Sequence, residues 1–177
     1  MTSSLIFDTD CISSFLWVNR ENILIKLYPG RIVLPTRVYA ELSHPSIPHI
    51  RSRIAQLCLN GHVTTKDILT HTDEYNLYYE LAISPPRGEK RIGKGEAAAI
   101  ALAIVYKAIL ASNNLSDISK YIERFGLKHV TTGDILVAAL NAGYINENVG
   151  NQIWSNMISK RRLLPTRSFS DYLKTIK

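Results

Sequence analysis

The chain reads as an α/β protein, with a central, mostly parallel sheet flanked by helices and further helices at its C-terminal end. Three observations lead there. Short apolar runs of about 4 residues recur and stop abruptly at polar or carboxylate residues, as strands buried on both faces of a parallel sheet do. Stretches with helical spacing of their apolar residues follow these runs, and alternating strands and helices make right-handed crossovers. Several of the 15 acids fall just beyond the ends of the runs or in the helices that come next. In open parallel sheets that edge is where ligands bind.

The first run, Leu5-Ile6-Phe7, ends in Asp8-Thr9-Asp10. Either carboxylate can cap the helix expected over 11–17, since Asp is a good N-cap, or the pair can serve chemistry; the dipeptide alone leaves both open. A second helix covers 20–27 and stops at Pro29-Gly30. Arg31-Ile32-Val33-Leu34-Pro35 is the next strand, ended by a proline that has no N–H for the ladder. Thr36 is the expected N-cap of a helix over 37–42 that carries Glu41. A helix over 50–59 closes at Asn60-Gly61, and 62–65 forms a small edge strand. A helix over 70–83 places Tyr75, Tyr78, Tyr79 and Ala82 on its apolar side. After the loop Ser84-Pro85-Pro86-Arg87-Gly88 and the charged Glu89-Lys90-Arg91, Gly93-Lys94-Gly95-Glu96 opens an alanine-rich helix over 97–106. Its small side chains allow close approach to the sheet. Ala108-Ile109-Leu110-Ala111 is another buried strand, ending at Ser112-Asn113-Asn114; a helix over 116–125 capped by Gly126 and a strand at 127–130 follow. From Thr131 on the pattern is helical: 134–142, 148–160 and a final turn or two around Tyr172.

Composition narrows the function. With 177 residues the chain suits one domain, enough to bury roughly 70% of its unfolded surface. No apolar run approaches the roughly 18 residues of a membrane span. Met1-Thr2-Ser3-Ser4 shows no leader pattern, and Cys11 and Cys58 make neither a disulfide framework nor a zinc site. The expected location is the cytoplasm, with no membrane partner. The net charge of +6 favours polyanions, nucleic acid first among them.

The end-of-strand acids are Asp8 and Asp10, then Glu41, Glu96 and Asp117. Gathering carboxylates costs free energy unless a cation compensates. An all-oxygen set suits a hard divalent ion such as Mg²⁺, which can polarise a phosphoryl oxygen and lower the pKa of a bound water. Each acid also has a plain structural role open to it: a solvated helix acid for Glu41, a dipole partner for Glu96, a cap or a Lys120 partner for Asp117.

Four segments in order carry a family resemblance. Phe7-Asp8-Thr9-Asp10 is similar to the opening strand of PIN domains. Leu34-Pro35-Thr36-Arg37-Val38-Tyr39-Ala40-Glu41-Leu42 resembles the second family segment, and Gly95-Glu96 with the alanines that follow resembles the third. Ser112-Asn113-Asn114-Leu115-Ser116-Asp117-Ile118 resembles the fourth, in the variant where Asn follows the strand and the acid comes three residues later. The resemblance implies a PIN-like three-layer fold, with a nuclease domain over 1–130 and a C-terminal helical extension over 131–177 packed on it. It implies an Mg²⁺- or Mn²⁺-dependent ribonuclease, often the toxin of a toxin–antitoxin pair, so the expected partners are RNA, an antitoxin protein and a second copy of the chain. By the motif match the catalytic acids are Asp8, Glu41, Glu96 and Asp117, of which Asp8, Glu96 and Asp117 hold metal, with Asp10, Asn114 and Ser112 in support. Asn114 departs from the pattern, because many family members carry an acid there. Lys94, Arg87, Lys90 and Arg91 are the candidates for RNA phosphate contact.

Two rivals remain. One is a non-catalytic RNA-binding module with a degenerate metal site, favoured by the neutral Asn113-Asn114. The other is a nucleotide-binding or phosphatase-type protein, for which Gly93-Lys94-Gly95 lacks the GxxxxGK[ST] run.

Overall fold

A computed structural model describes residues 3–176; Met1 and Thr2, the start of the stretch read for a leader, lie outside them, as does Lys177. Five strands and ten helices are present among these residues: β1 (Leu5–Phe7), α1 (Thr9–Trp17), α2 (Glu21–Leu27), β2 (Ile32–Pro35), α3 (Thr36–Leu42), α4 (Pro48–Leu59), β3 (Val63–Lys66), α5 (Asp73–Ala82), α6 (Lys94–Val105), β4 (Ile109–Ala111), α7 (Leu115–Phe125), β5 (His129–Val130), α8 (Thr132–Asn141), α9 (Glu147–Ser159) and α10 (Phe169–Thr175).

The sheet order is β3-β2-β1-β4-β5 and every pairing is parallel. From β1 the chain builds outward through β2 to β3, then returns through α5 and α6 to lay β4 on the other side of β1. The order therefore reverses between β1 and β4, which is the place where an open α/β sheet leaves a crevice. Leu5 and Phe7 enter one core with α1, α3 and α4, while Ile6 enters a second with α5, α6 and α7. Alternate side chains of a three-residue strand thus glue two helical layers to opposite faces of the sheet. The segments leaving β1 and β4 diverge to opposite layers: Ile12 and Phe15 of α1 pack in the first core, Ile118 and Tyr121 of α7 in the second.

In α6 every side chain from Ala97 to Ala103 is buried, as expected of a helix apolar all round. The C-terminal helices share the first core: Ile135, Leu136, Ile153, Trp154, Met157 and Phe169 cluster with Leu5 and Phe7. Backbone and ring pack without an intervening side chain where Tyr172 covers Gly133.

Several local expectations shift. Thr36 is the first helical residue of α3 rather than its cap; Pro35 takes the cap position and, having no polar side-chain atom, makes no side-chain hydrogen bond there. Helix α5 begins at Asp73, since the Thr72 hydroxyl accepts from the Tyr75 N–H and sets the start there. Tyr79 lies on the solvent side of α5, and the buried positions are Glu74, Tyr78, Leu81 and Ala82. The last strand shrinks to His129–Val130. Lys120 pairs with Glu89 rather than Asp117.

Candidate active site

At the carboxyl end of β1 the Asp8 N–H donates to the Ala111 carbonyl at 3.0 Å, locking the strand end against β4. The Asp8 side chain is only 3% exposed, and its Oδ1 accepts from the Cys11 N–H at 2.7 Å. It therefore caps α1, as one of the two sequence readings has it. The same carboxylate lines a cleft of about 240 Å³ with Thr9, Asp10, Glu41, Gly93, Gly95, Glu96 and Asn114. Capping and lining the cleft coexist because a carboxylate has more lone pairs than one cap uses.

Glu41 comes from α3 on an exposed stretch and is held by the Thr9 hydroxyl, which donates to its carboxylate. Its carboxylate lies directly over Gly95: a Cβ there would stand 2.7 Å from Glu41 Oε1. The glycine in the first turn of α6 is thus the condition for Glu41 and Glu96 to share one cleft. Glu96 follows it, with Oε2 3.4 Å from the Asn114 Nδ2 donor. Its other oxygen, Oε1, is buried with no hydrogen-bond partner. The Asn114 amide also donates to Asp117 Oδ2 at 2.9 Å, so it bridges Glu96 and Asp117. Ser112 is fully buried and its hydroxyl accepts from the Asn114 N–H at 3.2 Å.

Of the acids read from sequence, Asp8, Asp10, Glu41 and Glu96 line the cleft together. Asp117 stands behind Asn114 and lines a neighbouring hollow with Lys90, Arg91 and Lys120. Arg87 and Lys94 are exposed and line neither. The roles of Thr9 and Gly95 escape sequence reasoning, although a glycine in the first turn of an apolar helix is a signal that something packs against it.

The electrostatics are those of crowded, desolvated acids. Burial pushes the Asp8 carboxyl from 3.8 up to about 6; Asp10 and Glu41 add to this, while the Ser112 hydroxyl and the Cys11 N–H oppose it. Burial likewise raises Glu96 from 4.5 to about 7, reinforced by Asp8 and Asp117 and opposed by the Asn114 amide. A cation would reverse both shifts. The donors are all oxygen, and Glu96 Oε1 is a buried acceptor without a donor, the chemistry that a hard divalent ion fits. Among the described residues no three His, Cys, Asp or Glu side chains already stand at metal-ligating spacing. Mg²⁺ needs fewer, since it takes one or two carboxylates directly and keeps several waters.

Residues 4–177 match the family model described as PIN domain. No curated protein matches the sequence. Among the described residues no helix is long and apolar enough to cross a membrane.

Proposed function

The chain belongs to the PIN-domain family, whose members are generally nucleases, and on that premise we propose that it is a divalent-metal-dependent endoribonuclease. The observation that carries this reading is the pairing of raised carboxyls at Asp8 and Glu96 with an orphaned Glu96 oxygen, in a cleft at the switch point of the sheet. Asp8 and Glu96 are the residues to hold Mg²⁺ or Mn²⁺, and Asp117 supports them from behind Asn114. A bound ion supplies polarisation of the phosphoryl oxygen and a more acidic water. Glu41, fixed by Thr9, accepts a hydrogen bond from the attacking water, and Asp10 on the rim completes the acidic wall. Ser112 holds the Asn114 backbone. Lys90 and Arg91, beside Asp117, and the exposed Lys94 and Arg87 contact RNA phosphates.

By family resemblance we further assign the toxin half of a toxin–antitoxin pair, acting in the cytoplasm, with an antitoxin and a second copy of the chain as protein partners. Residues 1–130 make up the nuclease domain and 131–177 its helical extension. The non-catalytic RNA-binding alternative has one specific observation in its favour: Asn114 occupies both Glu96 and Asp117 with a single neutral amide.

Single-stranded RNA incubated with Mg²⁺ or Mn²⁺, with and without EDTA, separates the two, alongside melts with Mn²⁺. Metal-dependent cleavage and a raised melting temperature are expected, because a ligand of the native state stabilises it. RNA binding with no cleavage and no Mn²⁺ shift establishes the non-catalytic module instead.

A further inference from the structure

Beside the acidic cleft lies a second one, of about 320 Å³, that shares Asp10 and Asn114 with it and is otherwise walled by Ser14, Asn113, Arg161, Arg162 and Leu163. Its basic side comes from the turn after α9, in the C-terminal helices. That turn is closed by the Arg161 N–H on the Ile158 carbonyl at 2.9 Å and the Arg162 N–H on the Met157 carbonyl at 3.0 Å. Arg161 holds φ at +58°, a left-handed conformation that glycine or asparagine adopts more easily than arginine. Lys107 holds φ at +50° in the equivalent turn after α6, so the conformation belongs to the turn and fixes where the Arg161 side chain leaves it.

Arg162 is held from several sides. Its Nε donates to the Lys160 carbonyl at 3.2 Å, its Nη1 to the Ser13 hydroxyl at 3.3 Å, and its guanidinium lies 5.9 Å from the Trp17 ring centre. Its ion pair is loose: Nη1 stands 3.9 Å from an Asp10 carboxylate that is 73% exposed. Guanidinium donors are left over, and Arg161 has no ion pair among the described residues. The Asn113 side chain cannot turn to fill the space, since its amide and carbonyl are both engaged by Thr132. Leu163 stands 90% exposed at the edge. Arg162, held from several sides, and its exposed neighbour Arg161 beside an apolar rim match one nucleotide: guanidinium for phosphate, leucine for the face of a base.

We propose that this cleft is a phosphate subsite for the RNA strand, in which Arg161 and Arg162 clamp a phosphodiester adjacent to the one held over the carboxylates. The strand then crosses the acidic cleft from these arginines toward Lys90, Arg91 and Lys120, and the turn after α9 holds one end of it. The proposal rests on the RNA-binding part of the reading above.

The test is fluorescence anisotropy of a 12-nucleotide single-stranded RNA in EDTA, titrated over a salt series, on the full chain and on Arg161→Asn, Arg161→Lys and Arg162→Gln. Each lost phosphate contact lowers the slope of log affinity against log salt by about 0.7 for a single strand. Arg161→Asn and Arg162→Gln should each show that drop, and Arg161→Lys should keep the original slope. Because Arg162 also braces Ser13 and Trp17, Arg161 is the deciding position: asparagine suits its backbone, and the melting temperature should hold or rise. Unchanged slope in Arg161→Asn, or no RNA binding by the original chain, overturns the subsite. Binding with the expected slopes but no cleavage under any metal removes the nuclease reading and leaves the subsite standing; normal cleavage with an unchanged slope does the reverse.

Discussion

Two acidic positions in this fold are built alike and end differently. Asp134 and Glu96 both sit in the first turn of a helix. Asp134 is saturated: Oδ2 accepts from the Thr131 N–H and hydroxyl, each at 2.8 Å, and Oδ1 accepts from the Tyr172 hydroxyl at 2.8 Å. That makes a capping box, and it ties α10 to the start of α8. Burial and the neighbouring Asp134 hold the Tyr172 phenol up at about 12, so it stays a donor. Glu96 has one long contact from Asn114 and one buried oxygen with nothing. The same residue class at the same helical position is a structural clasp where donors are complete and a candidate site where they are missing. Counting donors separates the two where position cannot.

The largest effect that sharpens this contrast is on cleavage. Glu96→Gln should lower metal-dependent RNA cleavage on the order of 100-fold or more, since it removes a charge from the proposed ion site. Asp134→Ala should leave the rate within a few-fold and instead destabilise by about 1–3 kcal/mol, because the Thr131 and Tyr172 donors lose their acceptor. Rate assays and thermal melts on both variants check this; a cleavage loss in Asp134→Ala equal to that in Glu96→Gln would erase the distinction.

Next comes the pH dependence of the metal-free protein. Asp8 and Glu96 have folded values near 6 and 7, above their ordinary 3.8 and 4.5. A raised carboxyl favours the folded state while protonated. Its contribution is full below the unfolded value and is lost as pH rises through the folded one. In EDTA the melting temperature should therefore fall between about pH 4 and pH 7 as these two groups ionise. For Asp8 the loss is on the order of 3 kcal/mol. Asp8→Asn should flatten this fall while keeping the cap, since asparagine caps as well as aspartate. A fall equally steep in the variant would place the strain elsewhere.

The smallest effect is expected at Gly95. The methyl of Gly95→Ala meets the far end of a flexible glutamate rather than backbone. Glu41 should swing away while α6 gains roughly 0.5–1 kcal/mol of helix stability. Cleavage should drop by less than the roughly 100-fold that a misplacement of about 1 Å can cost, with the melting temperature unchanged or higher. A lower melting temperature would mean that α6 itself had been forced off the sheet.

What the sequence determined by itself was local: short branched runs became parallel strands, apolar spacing became helices, and the acids at their ends could be named before any contact was known. Even there, side-chain chemistry moved the edges, as when the Thr72 hydroxyl started α5 later and Pro35 displaced Thr36 from the cap. The tertiary structure alone decided which acids share a cleft. Thr9 meets Glu41 across 32 residues, and Arg162 reaches Ser13 across 149. It also set Asp117 behind Asn114, and it turned the C-terminal helices, whose local pattern says only that they are helical, into a wall beside Asp10. Periodicity is a property of neighbours along the chain, so it is written in the sequence. Whether a carboxylate finds a donor depends on what the fold brings next to it, and that is settled only when distant segments pack.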